Sequence, residues 1–285
     1  MTPRQQGFLL MTTRLGDLSR KPLTYRQFRT LILRSKELPR LRDAEVLTVT
    51  DMAELGYDPV TARRIVELFS DKPRLEGYLR MAKKAGCGPL TLADENFPEQ
   101  LPQRLGMDCP AVLWYKGDIT LLHKPGIALV GSRELKPENL RFARQVGSLA
   151  ARNGYTLVSG NARGADREAQ NACLESGGQV VSIVADSLTD KKYDPNILYL
   201  SEDSFDLGFT ARRALSRNRI IHAMGMKTFV AQSNFGKGGT WDGTVKNLAK
   251  GYSLVYCFDD GSPAMAEFAA QGAIAVTTDQ IASII

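Results

Sequence analysis

Histidine is nearly missing from this chain: His123 and His222 are the only two in 285 residues. That leaves too few candidates for a His-built zinc site or a Ser–His triad. The four cysteines, Cys87, Cys109, Cys173 and Cys257, are scattered, and no pair has metal-ligand or redox spacing. Cys173 and Cys257 sit in apolar segments and read as buried small hydrophobes. No apolar run approaches the roughly 20 residues of a membrane span. The opening MTPRQQGFLLMTTR has too short an apolar patch for a secretory signal, and no small-residue cleavage site follows it. A cytoplasmic protein with no membrane partner and no metal is expected. Low-complexity tracts are absent too. So are two common phosphate signatures: there is no G-x-x-x-x-G-K-[ST], and no G-x-G-x-x-G follows the first strand of the alternating region. Nucleoside-triphosphate hydrolysis and NAD-dependent hydride transfer are therefore disfavoured, and no cofactor is expected.

The composition that remains, 43% hydrophobic and 24% charged, is that of a globular protein with a sizeable core. The length suits one large domain plus a small one. The net charge of +6 is uneven: residues 1–42 carry ten Lys/Arg against two Asp/Glu. A basic first segment either helps attract a polyanion or is a solvated face. Arg212, Arg213, Arg217 and Arg219 form a second dense group with no acid between them, and arginine matches phosphate bidentately.

Residues 1–86 read as a small helical domain of the SAM or helix-hairpin-helix kind. Phe28, Leu31, Ile32 and Leu38 fall near one helical face. Thr50 or Asp51 is placed to cap a helix that stops at Gly56, and Asp58-Pro59 starts another. Residues 87–285 read as a Rossmann-like domain, of which 87–125 are a Pro-containing lead-in packed on the rest. From 126 onward, apolar strands at 127–130, 156–158, 180–184, 228–231, 253–258 and 273–276 alternate with helical segments. The fold class is α/β: βαβ units forming a parallel sheet covered by helices on both faces.

In such a sheet, ligands sit beyond the carboxyl ends of the strands. The first strand is followed by Gly131, Ser132 and Arg133. The second is followed by Ser159, Gly160, Arg163 and Gly164, with Asp166 near the next helix start. After the fourth come Gly236, Lys237, Gly238, Gly239 and Thr240, the threonine placed to cap a helix. Small residues, free N–H groups and basic side chains thus recur at three strand ends, which predicts a site for a phosphate-bearing ligand. Phe205, Phe209 and Phe235 lie in or beside these loops, available for packing or for base stacking.

At this point the chain resembles a known family, the DNA-processing protein A (DprA, also called Smf) family. The likeness rests on TLADENFPEQLP (91–102), PAVLWYKGD (110–118), IALVGSRE (127–134), VSGNARGADREA (158–169), SRNRII (216–221) and GKGGT (236–240). The resemblance implies a non-enzymatic, dimeric binder of single-stranded DNA that hands the strand to the RecA recombinase during natural transformation and recombination. It places the strand across Gly131–Arg133, Ser159, Gly160, Arg163 and Gly164, with Arg217, Asn218 and Arg219 as a further wall and Lys237 with its glycines closing the pocket. The chain departs from the family at Gln170, where histidine is common, at Gln232, where an acid is usual, and at Phe258-Asp259-Asp260. It also ends at Ile285 without a winged-helix module. A role in another DNA-handling or defence pathway stays open. A second reading is a small-nucleotide sensor or a phosphoribohydrolase-like enzyme. Gly239-Thr240 resembles the loop of the Lonely-guy enzymes, but Asp242 stands one residue out of register from their catalytic glutamate.

Overall fold

The computed structural model describes residues 1–41 and 44–285; Arg42, one of the ten basic residues of the first segment, lies outside them. Five helices come first: α1 (Pro3–Thr12), α2 (Tyr25–Ser35), α3 (Val49–Glu54), α4 (Pro59–Ser70) and α5 (Lys72–Lys84). Local chemistry sets their starts. Thr2, Thr24 and Thr48 each form a reciprocal capping box with the residue three positions on, and Asp58 caps α4 ahead of Pro59. The cap of α3 is thus Thr48, and Asp51 is its partner rather than the cap itself. Phe28 and Leu31 are buried as their spacing predicts, whereas Ile32 is exposed.

The lead-in contributes β1 (Gly88–Thr91), α6 (Gln100–Leu105) and β2 (Val112–Lys116). It does more than pack on the sheet: β2 pairs antiparallel with both β1 and β6 (Ile197–Ser201), so the lead-in is part of the sheet. The remaining elements are β3 (Gly126–Val130), α7 (Pro137–Arg152), β4 (Thr156–Ser159), α8 (Ala165–Glu175), β5 (Gln179–Ile183), α9 (Ala211–Met224), β7 (Lys227–Val230), α10 (Gly239–Lys250), β8 (Leu254–Phe258), α11 (Pro263–Ala270), β9 (Ile274–Val276) and α12 (Ile281–Ile284). The nine-stranded sheet runs β1-β2-β6-β5-β4-β3-β7-β8-β9. Seven strands, β6 to β9 in that order, are parallel, and the fold is α/β as expected. The expected all-parallel sheet gains two antiparallel strands at one end. β6 has no helix separating it from β5, so strand–helix alternation does not announce it.

Alternation along β3 shows how the sheet is covered. Ile127 and Leu129 face a core with Phe142 and Val146 of α7 and Ala169 of α8. Ala128 and Val130 face the opposite core, with Ile220 and Ile221 of α9 and Phe268 of α11. A third core joins the N-terminal helices to the lead-in through Tyr78, Trp114 and Phe205. Their rings lie 4.8–5.3 Å apart, and such pairs contribute about 0.5–1.5 kcal/mol each beyond area burial. Phe205 is therefore a core residue. Among the described residues, no helix is long and apolar enough to cross a membrane.

Candidate nucleic-acid interface

The strand order reverses direction between β3 and β7, so their carboxyl ends open a crevice. One hydrogen bond fixes its base: Ser132 N donates to Gln232 O at 2.9 Å. The Gln232 side chain completes the clasp, accepting from Lys136 N at 3.0 Å and donating to Glu134 O at 3.1 Å. Making both contacts at once needs an amide, since a carboxylate could accept from Lys136 N but could not donate to Glu134 O. This gives a physical role to the glutamine that departs from the family pattern.

A cleft of about 540 Å³ lies over this junction. Of the residues singled out in the sequence, Gly131, Ser132, Arg133, Arg217, Asn218, Lys237, Gly238, Gly239 and Thr240 line it. Arg133 and Lys237 are exposed, and neither has a carboxylate partner within 4 Å among the described residues. Thr240 does not cap α10. The helix starts one residue before it, and the N-cap is Gly238, whose φ of 93° suits glycine and which has no side chain to accept an N–H. The N–H groups of Gly239, Thr240 and Trp241 find no partner among the described residues, so α10 presents an open, positively polarised end to the cleft.

The other singled-out residues lie elsewhere. Ser159 is buried under the second loop, its Oγ accepting from Gln170 Nε2 at 2.6 Å. Gly160 lies behind the cleft wall, donating its N–H to Asp166 Oδ2 at 3.0 Å and accepting from Arg217 Nη2 at 3.1 Å. Gly164 packs against the carbonyls of Ser132 and Arg133. Arg163 is on the surface, paired with Glu134 at 3.2 Å. Gly236 shapes the loop before α10 with a φ of 70°. Arg219 turns away and forms a bidentate pair with Glu202, with one contact at 2.9 Å, and its Nε donates to Asp108 O at 2.9 Å. It lines a second cleft, of about 900 Å³, against the N-terminal segment, as does Asp242. Phe209 lines the first cleft, while Phe235 beside it packs on Trp241 at 4.9 Å.

Beneath the rim, Arg217 and Asp166 form a buried pair at 3.8 Å. Asp166 also accepts from Ala162 N at 3.3 Å, so the carboxylate pins the second loop. Burial pushes the Asp166 carboxyl above its usual range, against the opposing pull of Arg217. His222, which the sequence reading left unassigned, lies at the floor of the cleft and is 1% exposed. Its tautomer follows from its neighbours. Ser253 N donates to Asn247 Oδ1 at 2.9 Å, which fixes the amide and turns Nδ2 toward His222 Nδ1 at 3.1 Å. Nδ1 is thus the acceptor, and in the neutral ring the proton is on Nε2.

Burial, with the nearby Arg217 charge, pulls His222 from 6.5 down to about 3. A base depressed in this way contributes full stability above pH 6.5 and loses it as pH falls toward 3. A loss on the order of 1 kcal/mol is expected between pH 7.5 and 5.5. Urea denaturation at the two pH values checks this, and His222→Gln should lack that part of the pH dependence.

Taken together, the reversed strand order, the glycine-bearing strand ends and the open helix terminus define a Rossmann-like protein with a crevice at its switch point that is lined by unpaired cations and a free helix N-terminus. The sequence pattern of the family described as DNA recombination-mediator protein A matches residues 89–242, and the chain belongs to that family. The DNA processing protein DprA of Streptococcus pneumoniae is 32% identical over 98 residues, 34% of each chain. Protein Smf of Synechocystis is 27% identical over 139 residues, 44% of this chain and 35% of that protein. These alignments span about a third of the length of those relatives. The X-ray structure of DprA from S. pneumoniae superposes with a TM-score of 0.70 at 23% identity, covering 92% of this chain and 98% of the other. A DNA processing protein A structure from Helicobacter pylori, described for its single-stranded DNA binding mode, gives 0.59 at 23% identity, over 70% and 94%.

Proposed function

We propose that this chain binds single-stranded DNA in the switch-point cleft, with little sequence preference along the strand. We further propose that it acts as a homodimer that hands the strand to RecA, in DNA uptake or homologous recombination. The observation that carries the binding reading is the open end of α10 beside two unpaired cations, Arg133 and Lys237, in one cleft. Such a site suits a phosphate and reads no base. Family membership and the single-strand binding described for the H. pylori protein support the same reading. The carboxylates that line this cleft, Glu134 and Asp166, are engaged by Arg163 and by backbone N–H groups, which favours binding over acid–base chemistry.

The test is a salt titration of binding to a labelled oligo(dT) and to duplex DNA. Tighter binding to the single strand is expected. The double variant Arg133→Ala/Lys237→Ala should weaken strand binding by about 2–4 kcal/mol through two lost charge-assisted contacts. It should also flatten the log–log salt slope by about 1.4. Equal affinity for both DNAs, or for wild type and the double variant, would reject the reading. For the RecA step, nucleation of RecA on the oligonucleotide should quicken with the wild-type chain and not with the double variant.

A further inference from the structure

The second cleft, of about 900 Å³, is continuous with the first. Leu215 and Asn218 of α9 line both, and α10 runs from one into the other. Gly239 and Thr240, at the start of α10, stand at the switch-point cleft, while Asp242, Gly243, Lys246 and Lys250 line the second. The far wall is the N-terminal segment, with Thr13, Arg14 and Tyr25. The core that joins the N-terminal helices to the lead-in holds this wall in place.

Charge in the second cleft is sorted. The carboxylates of Glu202 and Asp203 are taken up by Arg219 and Arg213. Arg14, Arg212, Lys246 and Lys250 are exposed, and none has a carboxylate within 4 Å among the described residues. Two exposed acids, Asp108 and Asp242, also lack a cationic partner there, so the unpaired groups of the cleft are predominantly positive. Arg14 is already oriented: its Nη1 donates to Leu18 O at 2.6 Å and to Arg20 O at 3.0 Å, which leaves its charge uncancelled. Lys246 and Lys250 stand one turn apart, about 6 Å along the helix axis. Cations spread along a groove suit a chain of phosphates better than one compact anion.

We propose that the bound strand leaves the switch-point cleft along the side of α10 and continues into the second cleft, where Arg14, Arg212, Lys246 and Lys250 meet its phosphates. The proposal rests on the reading that the switch-point cleft is the DNA site. It gives the basic N-terminal segment a direct contact with the strand, made to the backbone and not to base identity.

The experiment varies strand length. An oligo(dT) of about four nucleotides fills one cleft, and one of about twelve reaches both. The double variant Lys246→Gln/Lys250→Gln should bind the longer strand about tenfold more weakly than wild type, and the shorter strand equally. Its log–log salt slope on the longer strand should flatten by about 1.4. In parallel, the longer strand carrying 5-iodouracil is crosslinked to the wild-type chain, and Tyr25, partly exposed in the far wall, should be among the labelled residues. Unchanged affinity of the variant for the longer strand overturns the proposal. So does equal weakening on both lengths, because the lysines would then act through the general field of the protein. Equal weakening on duplex and single strand overturns it as well. Crosslinks at the switch-point loops with none in the N-terminal segment do the same, whatever the variant shows. Arg133→Ala on the shorter strand tests the reading beneath: if that binding is unchanged while the lysine variant still loses the longer strand, the switch-point assignment falls and the second cleft stands.

Discussion

Arg217→Ala is expected to destabilise the protein by about 3–5 kcal/mol. Its side chain is 9% exposed, donates to Gly160 O and faces the Asp166 side chain, which is 6% exposed. Removing one partner of a buried pair leaves the other uncompensated, and it is this orphaned charge that carries the penalty. The sign of the pH dependence follows. Burial already holds the Asp166 carboxyl above its ordinary 3.8, and Arg217 is the largest influence opposing that rise. Without Arg217 the folded value climbs further. An acid whose folded value is raised is destabilising once pH exceeds the unfolded value, and the penalty grows until pH passes the folded value. The variant should therefore lose more at pH 8 than at pH 5 in urea denaturation, and Asp166→Asn should recover part of the loss. A uniform loss at both pH values would place the defect in packing instead. Arg133→Ala is expected to behave in the opposite way, weakening strand binding with little change in stability, because Arg133 is exposed and unpaired. Two arginines of one cleft are thus separable by experiment into a scaffold and a contact.

The second large effect is expected at Gly164. Its φ is 83°, a region that L side chains rarely adopt, and a Cβ there would overlap the carbonyl oxygens of Ser132 and Arg133. Both obstacles are backbone, so neither can swing aside. Gly164→Ala should force the second loop away from the first, breaking the bond from Ala165 N to Ser132 O, now 3.1 Å. Destabilisation of about 2–4 kcal/mol is expected from strain, overlap and the lost bond. Strand binding should fall with it, since the same movement displaces Arg133. Gly154→Ala is the control. Gly154 also has positive φ, at 76°, but a Cβ there meets nothing within 4 Å. The difference between the two variants in thermal unfolding measures the clash apart from the φ strain.

Much of this molecule is legible in its sequence because it rests on local rules. Thr24 and Gln27, or Asp58 before Pro59, start helices through contacts spanning at most three residues. The runs at 127–130 and 228–231 alternate with amphipathic helices, and that pattern sets the α/β class. The Gly-rich strand ends are equally visible, because a close backbone approach leaves glycine as its trace.

What the sequence could not order was the arginines of α9. Arg213, Arg217 and Arg219 stand within one short stretch, yet a helix turns about 100° per residue. Four residues apart, Arg213 and Arg217 share the buried face. Two residues apart, Arg217 and Arg219 diverge by about 200°, and each serves a different cleft. His222 was passed over for a similar reason. A lone histidine near a helix end carries no local signal, and its tautomer depends on Asn247 and Ser253, brought beside it only by the packing of α9 against α10. By itself, then, the sequence determined the class of fold, the family and the three loops that meet at the sheet's carboxyl edge, since each is written in contiguous residues. Which of those side chains line the cleft and which are locked beneath it were decided by tertiary structure, because burial and charge pairing are set by neighbours remote in the chain.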